Sequence, residues 1–429
     1  MISWIKKSVY TKLLLLFALC AITTHIFHSG KKINGVIWSD QEGYYIYLPA
    51  VFIHGGFENV PYINGCTTVE RNGTKYTFTK YTYGVALLES PFFAVAHLVS
   101  KPLGFPSDGR SMPYIWAVML AAIFYMLAGL VLLNKLLREI GFSRLVSVAV
   151  PLCILLGTNL FYYTFREAGM SHVYSFSLFS LLIFASHKRE SSNHFLWTVA
   201  TAIPLALLIL IRPTNIIAGL IPLLWAASFR DSPKRILAFL KDWKWLLLFG
   251  VSLVILFTPQ MLYWKELTGN YFLYSYGDEG FTYWNKPKML QVLFSHQNGW
   301  IIYSPIVLVG LAGLVLMIKN RTKGWQLPTV TLFLATYIFG SWWAWWFGGA
   351  YGHRCYVDFL PLLAVPSAYA VKTTLESSVV VKTLLLGFAS IVSFINIRMC
   401  YFYQGFWDGP NWKWVNYLDK VKEALSILF

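Results

Sequence analysis

The sequence predicts an all-α polytopic membrane protein, and three observations carry that prediction. Of 429 residues, 57% are hydrophobic and only 13% are charged, so there are too few charged side chains to cover the apolar ones, and much apolar surface must face lipid. Apolar runs that match the ~17–25 residues needed to cross a ~30 Å hydrocarbon core recur along the chain. Lys and Arg collect in alternate short loops between those runs, as they do in membrane proteins of fixed orientation.

In order, the runs fall near 9–28, 112–134, 145–164, 171–187, 196–211, 214–229, 245–264, 301–318, 327–347, 356–371 and 382–400, about eleven spans. The first follows Lys6-Lys7, as the apolar stretch of a signal peptide would. No small-x-small cleavage site precedes Lys31-Lys32, so it reads as a retained span. With a cytoplasmic N-terminus, one set of loops holds Lys135, Arg138 and Arg144; Lys188 and Arg189; Arg230, Lys234, Arg235, Lys241 and Lys244; Lys319, Arg321 and Lys323; and Lys372. The net charge of +16 is then a topology signal addressed to anionic membrane lipids, with no nucleic-acid partner implied.

Two outward segments, 29–111 and 265–300, are long, and the tail 401–429 is also expected outside. Within the first, 44–52 and 85–99 are amphipathic stretches containing Pro49 and Pro91, expected as short helices along the interface. Neither segment carries the apolar set of an independent core, and there is no internal repeat. The chain 1–429 reads as one integral domain.

The outward side also collects the unusual polar residues. Trp38-Ser39-Asp40-Gln41-Glu42-Gly43-Tyr44-Tyr45 sets two carboxylates two residues apart beside aromatics at the bilayer edge, where an unpaired buried charge costs several kcal/mol. Arg166 with Glu167 and His172, Arg212, Asp278 with Glu279, His296, and His353 with Arg354 and Asp358 fall on the same side. Such convergence points to a site, because structural accidents would scatter over both faces.

Each residue also has an ordinary reading. Arg166 can pair with Glu167 and Arg354 with Asp358; Arg212 can snorkel to headgroups; His172 and His296 can be packing residues. Asp278-Glu279 can be a solvated loop, and the run Trp342-Trp343-Ala344-Trp345-Trp346 an interfacial belt. Among five cysteines, Cys66 and Cys355 are both predicted outward, where a disulfide is allowed. CxxC, HExxH, P-loop and GxSxG patterns are absent, and Asn72-Gly73-Thr74 matches the glycosylation acceptor pattern.

An acidic pair after the first span, a long outward first loop with interfacial helices and roughly a dozen spans resemble the GT-C superfamily of polyprenyl-phosphate-sugar-dependent glycosyltransferases. That superfamily includes protein O-mannosyltransferases and lipid A aminoarabinose transferases. Tyr81-Thr82-Tyr83-Gly84, Met170-Ser171-His172, Arg212-Pro213-Thr214-Asn215, Phe294-Ser295-His296-Gln297-Asn298-Gly299 and Gly348-Gly349-Ala350-Tyr351-Gly352-His353-Arg354 resemble pieces of bacterial members, particularly from Bacteroidetes.

The resemblance implies a GT-C-like bundle in the bacterial inner membrane, with its active site on the periplasmic side. The expected reaction is inverting transfer of a sugar from an undecaprenyl-phosphate carrier to a glycan, lipid A or protein acceptor. Asp40 matches the essential acidic position and fits a base for the acceptor hydroxyl. Glu42 can orient the acceptor, share a proton, or complete with Asp40 a site for a divalent cation such as Mg or Mn, which some members use and others do not. Arg354 is the first expected ligand of the departing phosphate, with Arg212, His353 and Arg166 beside it. His172, His296, Asp278, Glu279 and Tyr83 are expected in supporting or acceptor-facing positions. An O-antigen ligase or polymerase and a lipid-linked-sugar flippase are the alternatives. Ligases and polymerases place their long outward loop late, and transporters carry repeated halves and charges within spans.

Overall fold

The computed structural model describes residues 36–192, 194–226, 231–405, 407–409 and 411–426, together with Leu16, Leu19 and Cys20. The span expected over 9–28, with Lys6, Lys7, Lys31, Lys32 and Arg230, lies outside them apart from those three residues.

Helices dominate, and each of the other expected spans is occupied by helix over most of its length. Three are long and apolar enough to cross a membrane: Met112–Ile140, Trp243–Thr268 and Val379–Phe402. In the last, only 6% of the most apolar window is buried by protein, so an apolar solvent must cover the remainder. The shorter apolar helices include Arg144–Gly157, Phe195–Ile211 and Val307–Lys319. The expected count of eleven spans rests on reading these shorter helices as crossings as well.

The expectation of an all-helical chain needs one correction. Thr67–Arg71 (β1) and Thr74–Phe78 (β2) pair antiparallel, with Thr67 opposite Phe78 and Arg71 opposite Thr74. Asn72 and Gly73 both take positive φ (52° and 78°), the geometry a two-residue hairpin turn needs and that Asn-Gly supplies at low cost. Thr, Val, Tyr and Phe around the turn are strand formers.

The chain divides into two compact units, each drawn from three stretches. The first comprises Met1–Ala128, Tyr163–Tyr174 and Phe257–Ser275. It holds Asp40–Tyr45 (α1), Tyr47–Phe52 (α2), the hairpin and Gly84–Ser100 (α3). Its core is rich in tyrosines with satisfied hydroxyls: Tyr47 donates to the Tyr81 carbonyl at 2.7 Å, and Tyr263 accepts from the Thr79 N–H at 2.9 Å. Phe57 closes this cluster, its ring centroid 4.5 Å from that of Tyr263.

The second unit comprises Gly129–Tyr162, Ser175–Leu256 and Tyr276–Phe429. Val307–Lys319 (α4) packs closely on Ala364–Leu375 (α5), and Gly310 and Gly313 explain how. A Cβ on Gly310 would stand 3.0 Å from the Ser367 hydroxyl, and one on Gly313 would collide with the Pro366 carbonyl. Small residues one turn apart let the backbones approach as they do in membrane bundles. Cys66 and Cys355 are both free buried thiols, so the allowed disulfide is not formed.

Candidate functional site

Helix α1 carries the acidic pair, and its surroundings give the two carboxylates different roles. Glu42 is fully buried. The Ile63 N–H donates to both its oxygens (2.8 and 3.0 Å), and the N–H groups of Asn64 and Gly65 donate to Oε2, each at 2.8 Å. The Arg110 guanidinium lies 2.6 Å from Oε1. Burial alone would raise its pKa, but the three N–H donors and Arg110 hold it below the ordinary carboxylate range. Glu42 is therefore an ionised anchor for the 63–65 turn, with both oxygens committed. Asp40, two residues earlier, is half-buried.

The chain is shaped to permit this. Ser39 enters α1 at φ 54°, and its N–H is received by the Asn64 side chain at 2.8 Å. A Cβ on Gly65 would stand 2.6 Å from the Glu42 Cβ, and one on Gly43 2.5 Å from the Tyr81 ring, so both glycines are needed for close approach. Arg110 is aimed by its own turn. Asp108 accepts from the N–H groups of Arg110 and Ser111 at 2.8 Å, while the guanidinium also donates to the Pro61 carbonyl at 2.8 Å.

The turn containing Arg166 and Glu167 reaches the same motif. The Gly169 N–H donates to the Gln41 side chain at 3.3 Å, placing that turn against the residue between the two carboxylates. His172 is buried, with its ring 5.1 Å from Tyr163. Tyr83 lies in the same unit at the head of α3, its N–H bonded to Gln260 at 3.0 Å and its ring against Tyr47. Tyr83 also lines an apolar cavity of about 260 Å³ with Leu48, Phe52 and Pro259.

In the second unit the basic residues gather around Arg354–Leu363, a 3₁₀ helix. Arg212 ends helix Phe195–Ile211 and precedes Pro213, which cannot continue it. Its guanidinium donates to the Cys355 sulfur at 3.1 Å and stands 3.8 Å from the buried Asp358 carboxylate. Arg212, facing the Asp358 carboxylate, is therefore turned inward and not snorkelling. Arg354 is half-buried at the start of the 3₁₀ helix.

His353 needs a second correction. Burial, with Arg212 and Arg354 nearby, pushes its pKa down to about 3, against the opposing pull of the hydrogen bond from Nε2 to the Trp345 carbonyl at 3.1 Å. A neutral imidazole packed between Phe339, Phe347 and Tyr356 brings no positive charge to a phosphate.

The Gly-rich loop before Arg354 is braced along its length. The Gly349 N–H donates to Asp408 at 3.1 Å, Asn159 donates to the Tyr351 carbonyl at 3.3 Å, and Asn298 donates to the Trp346 carbonyl at 2.9 Å. Gly352 adopts φ 66° with Tyr303 Cβ only 2.9 Å from where its own Cβ would lie. The half-buried Glu279 and exposed Asp278 lie on a segment hydrogen-bonded to the aromatic run. The Trp343 N–H donates to the Gly280 carbonyl and the Tyr283 N–H to Ser341, both at 2.9 Å. The His296 carbonyl receives Tyr303 and Trp412 at 2.8 and 3.0 Å, and its ring packs on Trp414.

Among the described residues no group of three or more His, Cys, Asp or Glu side chains is placed to hold a metal ion. Asp40 and Glu42 do not make a cation pair, since both Glu42 oxygens are taken. Sequence reasoning passed over Arg110, Asp108, Gln260 and Asp408. The Asp108-Gly109 turn was the available signal for the first two.

No family model matches the sequence, and no curated protein matches it. Among solved structures the fold is similar to the crystal structure of ArnT from Cupriavidus metallidurans bound to undecaprenyl phosphate. The TM-score is 0.53 at 13% identity, over 91% of this chain and 71% of that one. The likeness bears out the GT-C-like fold that the sequence motifs suggested.

Proposed function

We propose that this GT-C-fold chain is an integral-membrane glycosyltransferase. It moves one sugar from a polyprenyl-phosphate carrier, of the undecaprenyl kind, to an acceptor hydroxyl on the periplasmic side of a bacterial inner membrane. The observation that carries this reading is the fold likeness, across 91% of the chain, to a protein whose structure holds undecaprenyl phosphate. A helix-borne acidic motif, held rigid by four donors, supports it.

In the proposed reaction the acceptor oxygen attacks the anomeric carbon as the bond from that carbon to the phosphate oxygen breaks. The acceptor proton passes to Asp40, and the lipid phosphate leaves as an anion. Attack from the face opposite the phosphate inverts the anomeric configuration. Glu42 is assigned a positioning role, fixing α1, and with it the carboxylate of Asp40, without touching substrate. Arg354 is assigned to the departing phosphate, whose developing charge a guanidinium grips with two parallel hydrogen bonds. Arg212 and Arg166 supply further positive charge, and His353 holds the loop. His172, His296, Asp278, Glu279 and Tyr83 are assigned to support or acceptor contact. A Mg or Mn ion does not fit the acidic pair, and no step is routed through one.

The test is a purified preparation incubated with a panel of polyprenyl-phosphate sugars and hydroxyl acceptors, including lipid A, surface glycans and secreted proteins. Release of the lipid phosphate is the readout. Release above background with at least one donor, abolished in Asp40→Asn, supports the reading. No release with any donor in a folded, lipid-supplied preparation overturns it.

A further inference from the structure

The second unit contains a cavity of about 380 Å³ that the proposed reaction does not use. It lies among helix ends: Glu139 and Ile140 close Met112–Ile140, His187 is in the last turns of Ser171–Ser191, and Met317 is near the end of α4. Its walls are mostly apolar, with Ile183, Leu327, Leu362 and Val365 prominent and Trp225 and Tyr369 adding aromatic surface. That is the makeup of a ligand site, and the volume is in the range of one.

The charged groups in its lining and beside it select the ligand. Lys188 lies 3.1 Å from the Glu139 carboxylate and offsets its charge, with the His187 ring 3.6 Å away. Outside the lining, Arg189 pairs with Asp242, and Arg235 with Glu190. Lys323 lines the cavity, is exposed, and has no acidic partner among the described residues. Apolar walls opening beside an uncommitted ammonium, at the end of membrane helices, suit a molecule with an apolar chain and an anionic head.

We propose that this cavity holds an anionic membrane phospholipid, with an acyl chain among the helix ends and its phosphate on Lys323. The site is independent of the proposed transfer reaction.

Native mass spectrometry of the delipidated full chain tests it, with phosphatidylglycerol, phosphatidylcholine and undecaprenyl phosphate as probes. Phosphatidylglycerol is expected to bind about five-fold more tightly than phosphatidylcholine, the ratio that one lysine's attraction to an anionic head supplies. Lys323→Glu should erase that preference, and Leu362→Trp, which fills the cavity, should weaken binding of both phospholipids. If Leu362→Trp fails to fold, the exposed Lys323→Glu variant carries the test alone. Equal binding of the two phospholipids, or a preference that survives Lys323→Glu, overturns the proposal. So does displacement of phosphatidylglycerol by undecaprenyl phosphate in a Lys323-dependent manner, which would give the cavity to the carrier. Competition by millimolar inorganic phosphate alone would reduce the site to a surface anion contact and also overturns it.

Discussion

Glu42 and Arg110 form an ion pair of 2.6 Å in which the carboxylate is fully buried while the guanidinium keeps 23% of its side chain in reach of solvent. The acid is thus held by protein on all sides, and the base connects the outer surface to the motif that carries Asp40.

Replacing Glu42 by Gln should destabilise the chain by about 3 kcal/mol, because removing one partner of a buried pair strands the other and leaves an amide facing three N–H donors. Lower Tm with little change in KM of the surviving folded fraction is the expected result. The pH dependence has a definite sign. The folded pKa is depressed, so this stability is present above the unfolded value of ~4.3 and is lost as pH falls through the lower folded value. An acid-unfolding curve in which Glu42→Gln loses less stability than wild type below that range checks it.

Asp40→Asn should abolish transfer while leaving Tm within a degree or two of wild type, since the amide keeps the shape but cannot accept a proton. Turnover within a few-fold of wild type would remove Asp40 from the chemistry.

Arg354→Ala should weaken donor use more than Arg354→Lys, because an ammonium retains the charge but loses the two-pronged grip. Arg212→Ala should behave differently and lower Tm, since it removes a cation that faces the buried Asp358 carboxylate at 3.8 Å. Donor KM and Tm measured on the same three preparations separate the two arginines.

Glu89 on α3 is fully buried, and burial raises its pKa to about 8 against the hydrogen bond from the Tyr174 hydroxyl at 2.7 Å. Between ~4.3 and that value the folded chain holds a proton that the unfolded chain has released. The contribution is therefore full below ~4.3 and declines as pH rises toward about 8. Glu89→Gln should flatten the fall of Tm between mildly acid and mildly alkaline pH. An unchanged slope would show that the residue does not titrate there.

Single cysteines placed beside Arg138, Arg235 and Arg321, in a background without native cysteines, should resist an impermeant reagent applied from outside. Those beside Asp40, Asp278 and Arg354 should react. Labelling that puts Asp40 and Arg354 on opposite sides of the membrane would defeat the proposed chemistry, because a base and a phosphate ligand must serve one sugar.

What the sequence disclosed followed the range of each signal. Amphipathic spacing around Pro49 and Pro91 located helices found at Tyr47–Phe52 and Gly84–Ser100 within a few residues. The hairpin has an equally local signal, Asn72-Gly73 between β-branched and aromatic residues, but the same Asn72-Gly73-Thr74 also matches a glycosylation pattern, so the triplet is ambiguous in sequence. The roles of individual charges were hidden for a different reason. The donors that occupy Glu42 are backbone N–H groups more than twenty residues away, which have no side-chain signature. Asp358 has a nearer cation in sequence than the Arg212 that meets it. Local spacing finds elements well and finds partners poorly when the partner arrives through the fold.

The turn at Ile63, Asn64 and Gly65 points three successive N–H groups at one place, the arrangement that elsewhere cradles phosphate or sulfate from solution. Here the chain fills that nest with its own anion. A self-occupied nest works as a lock: no outside anion takes the place of Glu42, so any phosphate this chain binds must be met by side chains elsewhere, and the acidic helix needs no ligand to keep its pose.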